Sequence, residues 1–183
     1  MHIPCSHRLQ SPAEGRRHFL HIAALGAGVS LLAAAAGPRE ALAAAAGTDA
    51  LLLSCMDFRL MDDIERYMAG RGLRDRYDHV VLAGASLGAI TDRYPAWNKT
   101  FWDHLDIAIQ LHKVHQVIVM DHRDCGAYKV ILGPAHAQDP VLERSTHAAQ
   151  LQRLKAQINK RHPALAVETL LMGLDGHVET IPV

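Results

Sequence analysis

Cysteine and histidine side chains follow two apolar stretches of the sequence. Cys55 comes directly after the run ALLLS, and His122 and Cys125 come shortly after the run VIVM. Two thiolates and an imidazole are the ligand set of a catalytic zinc ion that keeps its fourth position open. The spacing of His122 and Cys125 lets both reach one metal across a turn into a helix, whose N-terminus favours the Cys125 thiolate. The sequence therefore predicts a Zn²⁺ site formed by Cys55, His122 and Cys125.

An acid and a base follow Cys55 at alternate positions. In an extended segment Cys55, Asp57 and Arg59 point to the same side, so all three converge on the neighbourhood of the metal. Asp57 can then occupy the fourth zinc position, or it can accept two parallel hydrogen bonds from Arg59. The first arrangement blocks the metal and the second leaves it open. An ordinary ion pair at the end of a strand is the alternative interpretation.

Strands that alternate with helices must position these residues. Short apolar runs predict buried strands at 50–54, 79–83, 117–120 and 167–172, and apolar stripes predict helices at 60–69, 97–113 and 143–161. This order predicts an α/β fold with a mainly parallel sheet flanked by helices, and a tight turn at Asp175-Gly176 adds an antiparallel strand at the C-terminal edge. Ligand sites of such sheets lie at the carboxyl ends of the strands, where Cys55, His122 and Cys125 would meet.

Other polar residues near these motifs have simpler interpretations. Asp124 is expected to cap the helix that begins at Cys125. Asp121 is a candidate acceptor for a hydrogen bond from His122 or Arg123. Several of the remaining histidines fall on helix faces or near helix ends, where a solvated side chain is ordinary, and none forms a compact ligand pair that predicts a second metal site.

The composition is that of an ordinary globular protein. The chain has 183 residues, of which 49% are hydrophobic, and 19 Lys and Arg balance 19 Asp and Glu. This length suits a single domain with a sizeable core, and balanced charge provides no basic surface for nucleic acid. We therefore expect a small-molecule substrate and no nucleic-acid partner.

Residues 1–43 have the features of an export signal. Arg16 and Arg17 precede Phe19 and Leu20, an apolar stretch follows, and Ala41-Leu42-Ala43 has the small residues of a cleavage site. The paired arginines resemble the twin-arginine export signal of bacteria. We therefore expect a periplasmic or otherwise exported domain at 44–183, without stable membrane association after cleavage. An uncleaved membrane anchor is the alternative, although the stretch is short for a spanning helix.

Export restricts the state of the cysteines. Cleavage removes Cys5 and leaves Cys55 and Cys125 in an oxidising compartment. There a thiol pair forms a disulfide or is held by a metal, while two buried inert thiols are a further alternative. Because twin-arginine signals are generally given to proteins that fold and take up their cofactor before export, the signal favours the metal.

The two motifs together resemble the beta-class carbonic anhydrases. Cys55-x-Asp57-x-Arg59, a buried strand and His122-x-x-Cys125-Gly occur in the order and approximate spacing of that family, and the resemblance covers essentially all of 44–183. It implies the beta-carbonic-anhydrase fold, with Cys55, His122 and Cys125 as zinc ligands. Asp57 would be either a fourth ligand or, paired with Arg59, the catalytic acceptor that orients zinc-bound hydroxide. The implied reaction is reversible hydration of carbon dioxide to bicarbonate, in a homodimer or homotetramer.

The sequence departs from the family pattern beside the proposed metal site. Asp121 stands where glycine is usual, and Arg123 stands where a small or polar residue is common. Hydrolysis of carbonyl sulfide or carbon disulfide is therefore an alternative enzymatic function. A non-catalytic zinc-binding protein, or a redox-active binding protein with structural cysteines, is the alternative outside enzymes.

Overall fold

A five-stranded sheet forms the centre of the fold. The computed structural model describes residues 48–183, so the predicted export signal at 1–43 lies outside the described residues. The strands are β1 (Ala50–Ser54), β2 (Tyr77–Val81), β3 (Gln116–His122), β4 (Ala166–Met172) and β5 (Val178–Thr180), in the spatial order β2-β1-β3-β4-β5. The first four are parallel and β5 is antiparallel to β4, which confirms the predicted α/β fold and its antiparallel edge.

Within residues 48–183, five α-helices connect the strands. They are α1 (Met61–Gly70), α2 (Ala85–Gly88), α3 (Pro95–Ile107), α4 (Gly126–Leu132) and α5 (Pro140–Arg161). Shorter turns of helix lie at Phe58–Leu60, Ala108–His112 and Pro134–Ala137. Among residues 48–183, none of the helices combines the length and apolar character that crossing a membrane requires.

Helices cover both faces of the sheet. All five residues of β1 are buried, as its continuous apolar sequence predicts for a strand covered on both faces. Successive side chains alternate between the faces, so that Leu51 and Leu53 pack with α3 and α5, while Leu52 packs with α1. Burial of each leucine contributes about 1.5–3 kcal/mol, so packing on both faces stabilises β1 within the sheet.

The longest helix begins earlier than its apolar stripe predicts. Asp139 accepts hydrogen bonds from the backbone N–H groups of Val141 and Leu142, at 2.8 and 2.9 Å, and so caps α5. Pro140 occupies the first helical position, where its fixed φ is compatible with the helix and its missing N–H costs nothing. The helix therefore starts at Pro140 and ends at Arg161, as predicted, just before His162.

Register brings the ends of β1 and β3 together. Ser54 lies opposite Met120 on β3, so that Cys55 follows at the level where Asp121 and His122 end the neighbouring strand. Because β1 and β3 are adjacent and parallel, the two segments leave the sheet at the same edge. The topology thus places the two sequence motifs side by side without a long connecting loop.

Candidate metal centre

Three side chains converge at the carboxyl edge of the sheet. The ligand atoms of Cys55, His122 and Cys125 all lie within 4.8 Å of one another, and all three residues are buried. Cys55 follows β1, His122 is the last residue of β3, and Cys125 precedes helix α4. The structure therefore brings together the three residues that the sequence singled out as zinc ligands.

The sulfur atoms have the separation of two metal ligands. Both cysteines are free thiols, and the Sγ atoms of Cys55 and Cys125 lie 3.9 Å apart. A disulfide requires about 2.05 Å, whereas two sulfurs that bind a tetrahedral zinc ion at about 2.3 Å lie about 3.8 Å apart. The observed separation fits a shared zinc ion.

His122 presents the nitrogen that a metal would need. Its Nδ1 lies 2.8 Å from the carbonyl oxygen of Arg123, and because a carbonyl can only accept, Nδ1 carries the hydrogen. In the neutral ring Nε2 then has the free lone pair, and this buried atom finds no hydrogen-bond partner within the described part of the chain. A ring fixed in this way by its other nitrogen is typical of a histidine that binds a metal.

The surroundings shift the pKa values of the two thiols in opposite directions. A hydrogen bond from Cys125 lowers the pKa of Cys55, and the Gly84 N–H adds a second donor 3.3 Å from the Cys55 sulfur. The pKa of Cys125 is raised, because its hydrogen bond with Cys55 and its burial both favour the protonated thiol. Cys55 is therefore the thiol that more readily takes the thiolate form in which a cysteine binds a metal.

Asp57 is held by Arg59 beside these ligands. Nε of Arg59 donates to Oδ1 of Asp57 at 2.9 Å, and a terminal guanidinium nitrogen donates to Oδ2 at 2.8 Å. These hydrogen bonds lower the pKa of Asp57 to about 2. The same carboxylate lies close to the predicted metal site, since Oδ2 is 3.8 Å from Nε2 of His122.

The segment after Asp57 is not extended, contrary to the prediction. Oδ1 of Asp57 also accepts the backbone N–H of Arg59, at 3.1 Å, and caps the short helical turn Phe58–Leu60. A short polar side chain competes in this way with extended backbone. The turn brings the guanidinium of Arg59 back to Asp57, so the two side chains pair although the backbone between them bends.

Asp124 binds Arg59 and does not cap a helix. Helix α4 has Cys125 at its N-cap, without a side-chain capping bond. The Asp124 carboxylate accepts a hydrogen bond from Arg59 at 3.0 Å and forms an ion pair with Lys129. Its predicted capping role is therefore wrong, because two cations compete for the carboxylate.

Asp121 also has different partners from those predicted. Its buried carboxylate accepts hydrogen bonds from Ser86, Tyr128 and His147, and not from His122 or Arg123. His147 is fully buried, unlike a solvated histidine on a helix face. Its position was readable from the sequence, because it precedes Leu151 by four residues on the core stripe of α5.

A cavity opens beside the candidate ligands. Its volume is about 690 Å³, and Cys55, Asp57 and Arg59 line it together with mainly apolar side chains, among them Tyr94 and Trp97. At its rim the side chain of Phe58 is 86% exposed. Of the three candidate ligands, only Cys55 lines this cavity, so the cavity reaches the cluster at the Cys55 side chain.

The fold and the cluster together define a class of protein. It has a parallel α/β sheet, a Cys-His-Cys cluster at the carboxyl ends of two neighbouring strands, and an Asp–Arg pair beside it. A family model described as "Putative carbonic anhydrase" matches residues 45–182. The chain belongs to this carbonic anhydrase family.

Two relatives are similar to most of this chain. An uncharacterized protein of Rickettsia conorii is 45% identical over 131 residues, which cover 72% of this chain and 70% of the relative. An uncharacterized protein of Rickettsia bellii is 41% identical over 131 residues, which cover 72% of this chain and 80% of the relative.

Among solved structures, tetrameric beta-carbonic anhydrases of Sordaria macrospora match with a TM-score of 0.50 and 14% identity, over 92% of this chain and 98% of theirs. A Coccomyxa beta-carbonic anhydrase in complex with acetazolamide also matches with a TM-score of 0.50, at 12% identity, over 92% of this chain and 84% of its own. At these identities the likeness shows a shared fold.

Proposed function

We propose that this protein is a zinc-dependent carbonic anhydrase that reversibly hydrates carbon dioxide to bicarbonate. The convergence of the Cys55 and Cys125 sulfurs with Nε2 of His122, within 4.8 Å, is the observation that carries the proposal. Membership of the carbonic anhydrase family supports it further. A zinc ion held by these three residues would act as a Lewis acid that lowers the pKa of water towards neutrality.

Asp57 is suited to orient a water molecule at the cluster. A carboxylate oxygen has two lone pairs, and the one hydrogen bond of Oδ2, from Arg59, leaves one of them available. With its pKa lowered to about 2 by Arg59, Asp57 stays ionised and can only accept hydrogen bonds near neutral pH. It would therefore hold the hydrogen of a water molecule and direct the oxygen lone pair towards the substrate.

Arg59 keeps Asp57 in this role. Its guanidinium donates to both oxygens of Asp57 and also to the carboxylate of Asp124. These contacts oppose movement of Asp57 into the fourth metal position. The predominantly apolar cavity suits carbon dioxide, which is uncharged and has no hydrogen-bond donor.

Stopped-flow measurement of carbon dioxide hydration tests the proposal. The zinc content of the full chain is determined first, and rates are then followed from neutral to alkaline pH. Cys125→Ser should lose zinc and activity. Asp57→Asn should retain zinc but lose about 10²-fold or more in rate, because the amide presents a donor where an acceptor is needed.

Asp62→Asn is the matched control for Asp57→Asn. It removes the same charge from an exposed position in the first turn of α1, and its rate should equal that of the unsubstituted chain. A fully zinc-loaded protein without carbon dioxide hydration at any pH would refute the proposed activity. Equal rates for Asp57→Asn and the unsubstituted chain would refute the role of Asp57.

We also propose that the protein forms a homodimer or homotetramer. Met56, Phe58 and Val130 line the cavity and are largely exposed, so a second copy that covered them would remove apolar surface from water. The Sordaria macrospora proteins that share the fold are described as tetrameric. Sedimentation analysis tests this, and a species with the mass of one chain at all concentrations would refute it.

We further propose that residues 1–43 direct export to the periplasm through the twin-arginine route. The support is the Arg16-Arg17 pair with the apolar stretch and small residues that follow. Cell fractionation of a bacterium that expresses the full chain provides the test. Replacing both Arg16 and Arg17 by lysine should keep the protein in the cytoplasm, and unchanged export would refute the proposal.

A further inference from the structure

Asp121 is a buried carboxylate at the centre of a hydrogen-bond network. Its Oδ1 accepts the backbone N–H of Ser86 at 2.9 Å. Its Oδ2 accepts the hydroxyl of Ser86 and the hydroxyl of Tyr128, each at 2.6 Å, and Nδ1 of His147 at 3.0 Å. All four residues are buried, so every one of these contacts is shielded from water.

The donors come from three separate helices. Ser86 belongs to α2, Tyr128 to α4 and His147 to α5, whereas Asp121 is the next-to-last residue of β3. The ring of Tyr128 also packs on the ring of His147, with centroids 4.0 Å apart. A single carboxylate therefore ties three helices to the end of the central strand.

Each arm of this network ends next to a candidate ligand. Asp121 is adjacent to His122 in the chain. Ser86 lies two residues after Gly84, whose N–H donates to the Cys55 sulfur at 3.3 Å. Tyr128 lies in the first turn of α4, three residues after Cys125 at its N-cap. The network thus reaches all three ligands through short, well-packed segments.

A carboxylate is a costly group to place in this position. Burial of a charge is unfavourable unless hydrogen bonds and a counter-charge compensate, and apolar residues of similar volume would pack there at lower cost. Within residues 48–183 no lysine or arginine forms an ion pair with Asp121, and His147 is the only side chain there that contacts it through a ring nitrogen. Such a cost is typical of groups that define a geometry.

We propose that Asp121 is a positioning residue that sets the arrangement of Cys55, His122 and Cys125 for metal binding. This inference rests on the metal site of the proposed function. Asp121 does not touch the ligand atoms. It acts by fixing the end of β3, the turn that holds Gly84 against Cys55 and the first turn of α4, so that the three ligands are pre-arranged before the metal arrives.

Zinc affinity and the spectrum of bound cobalt test the proposal. Two variants of the full chain are compared. Tyr128→Phe keeps the ring but removes one hydrogen-bond donor to Asp121. Asp121→Asn places an amide N–H₂ group opposite the donors that surround Asp121, where an acceptor is needed. Zinc dissociation constants come from competition with a chelator. The absorption spectrum of the Co²⁺-substituted protein reports the ligand geometry directly. A loss of overall stability alone would leave this spectrum unchanged.

Thr169→Val is the matched control. Thr169 is buried in β4 and donates to the carbonyl oxygen of Ile181 at 2.7 Å, so valine removes a buried hydrogen bond of the same sheet without touching the network. Urea unfolding of every variant measures the general loss of stability. If Asp121→Asn fails to fold, Tyr128→Phe alone decides the outcome.

We expect Tyr128→Phe and Asp121→Asn to raise the zinc dissociation constant roughly 10- to 100-fold and to shift the cobalt spectrum. Thr169→Val should leave both unchanged. Folded variants of Asp121 and Tyr128 with unaltered affinity and spectrum would overturn the inference. Failure of the unsubstituted chain to bind zinc would refute the metal site and the inference with it, whereas zinc binding without carbon dioxide hydration would refute only the proposed activity.

Discussion

Gly84 lies between the metal centre and helix α4, where an added methyl group would contact the helix more closely than side chains normally do. Its φ of +77° is a left-handed conformation that side chains disfavour, and its Cβ would lie 3.1 Å from Cβ of Ala127 in α4. Its N–H also donates to the sulfur of Cys55. Gly84→Ala therefore strains the backbone and pushes on the helix that follows Cys125.

The size of the effect follows from these two contributions. A residue with a side chain in the left-handed region costs about 1–2 kcal/mol. Overpacking against Ala127 adds about 1–3 kcal/mol, because α4 must move by a few tenths of an ångström. We expect Gly84→Ala to lower the free energy of unfolding by about 2–5 kcal/mol and to weaken zinc binding.

Gly72→Ala separates the two contributions. Gly72 has nearly the same φ, +74°, but no described atom lies within 4 Å of the position of its Cβ. This variant should lose only the backbone contribution of about 1–2 kcal/mol and should keep its zinc affinity. Urea unfolding of both variants at one zinc concentration, together with chelator competition, makes the comparison.

The comparison can refute this account of the packing. Equal losses of stability in Gly84→Ala and Gly72→Ala would mean that the contact with Ala127 costs nothing. A Gly84→Ala protein with undiminished zinc affinity would mean that neither α4 nor the Gly84 N–H controls the cluster.

Chelation should make Cys55 and Cys125 reactive towards a thiol reagent and should lower the melting temperature of the protein. The chelator should not lower the melting temperature of Cys125→Ser, because that variant lacks the metal. Thiols that react equally before and after chelation would contradict a bound metal. Leu151 is fully buried in the core, so Leu151→Ala should lower the free energy of unfolding in urea by about 2–5 kcal/mol. Val141 is 76% exposed, so Val141→Ala should lower it by less than about 0.5 kcal/mol. Similar losses in the two variants would contradict the packing of α5. Partial removal from water lowers the pKa of His79, although more than a third of the residue stays exposed. The folded state therefore binds fewer protons there than the unfolded chain, and the free energy of unfolding should fall slightly as pH decreases from about 7 to 5. His79→Gln should reduce this fall, and an unchanged pH dependence would exclude His79 as its source.

Local sequence patterns predicted the elements that hold the candidate metal centre. The apolar run at 50–54 has the bounds of β1, because a strand buried on both faces needs an apolar side chain at nearly every position. The helix predicted at 60–69 is α1, Met61–Gly70, whose Ile64 and Met68 follow the helical period. Helix α5 starts earlier than its apolar stripe, since a polar cap at Asp139 sets its first residue.

The grouping of Cys55, His122 and Cys125 was also predictable, because adjacent parallel strands end at one edge of a sheet. The pairing of Asp57 with Arg59 was one of two predicted arrangements. The turn between them was missed, since it depends on a hydrogen bond from the Arg59 backbone to the Asp57 side chain.

Sequence by itself thus determined the alternation of strands and helices, the edge of the sheet that carries the site and the residue types available there. These features depend on local periodicity and on the direction of the strands. Only the tertiary structure decided that Asp121 meets Ser86, Tyr128 and His147, and that Asp124 meets Arg59, which is 65 residues distant. Periodicity indicates which face of an element is buried, whereas hydrogen bonds between layers depend on how helices from distant parts of the chain pack on the sheet.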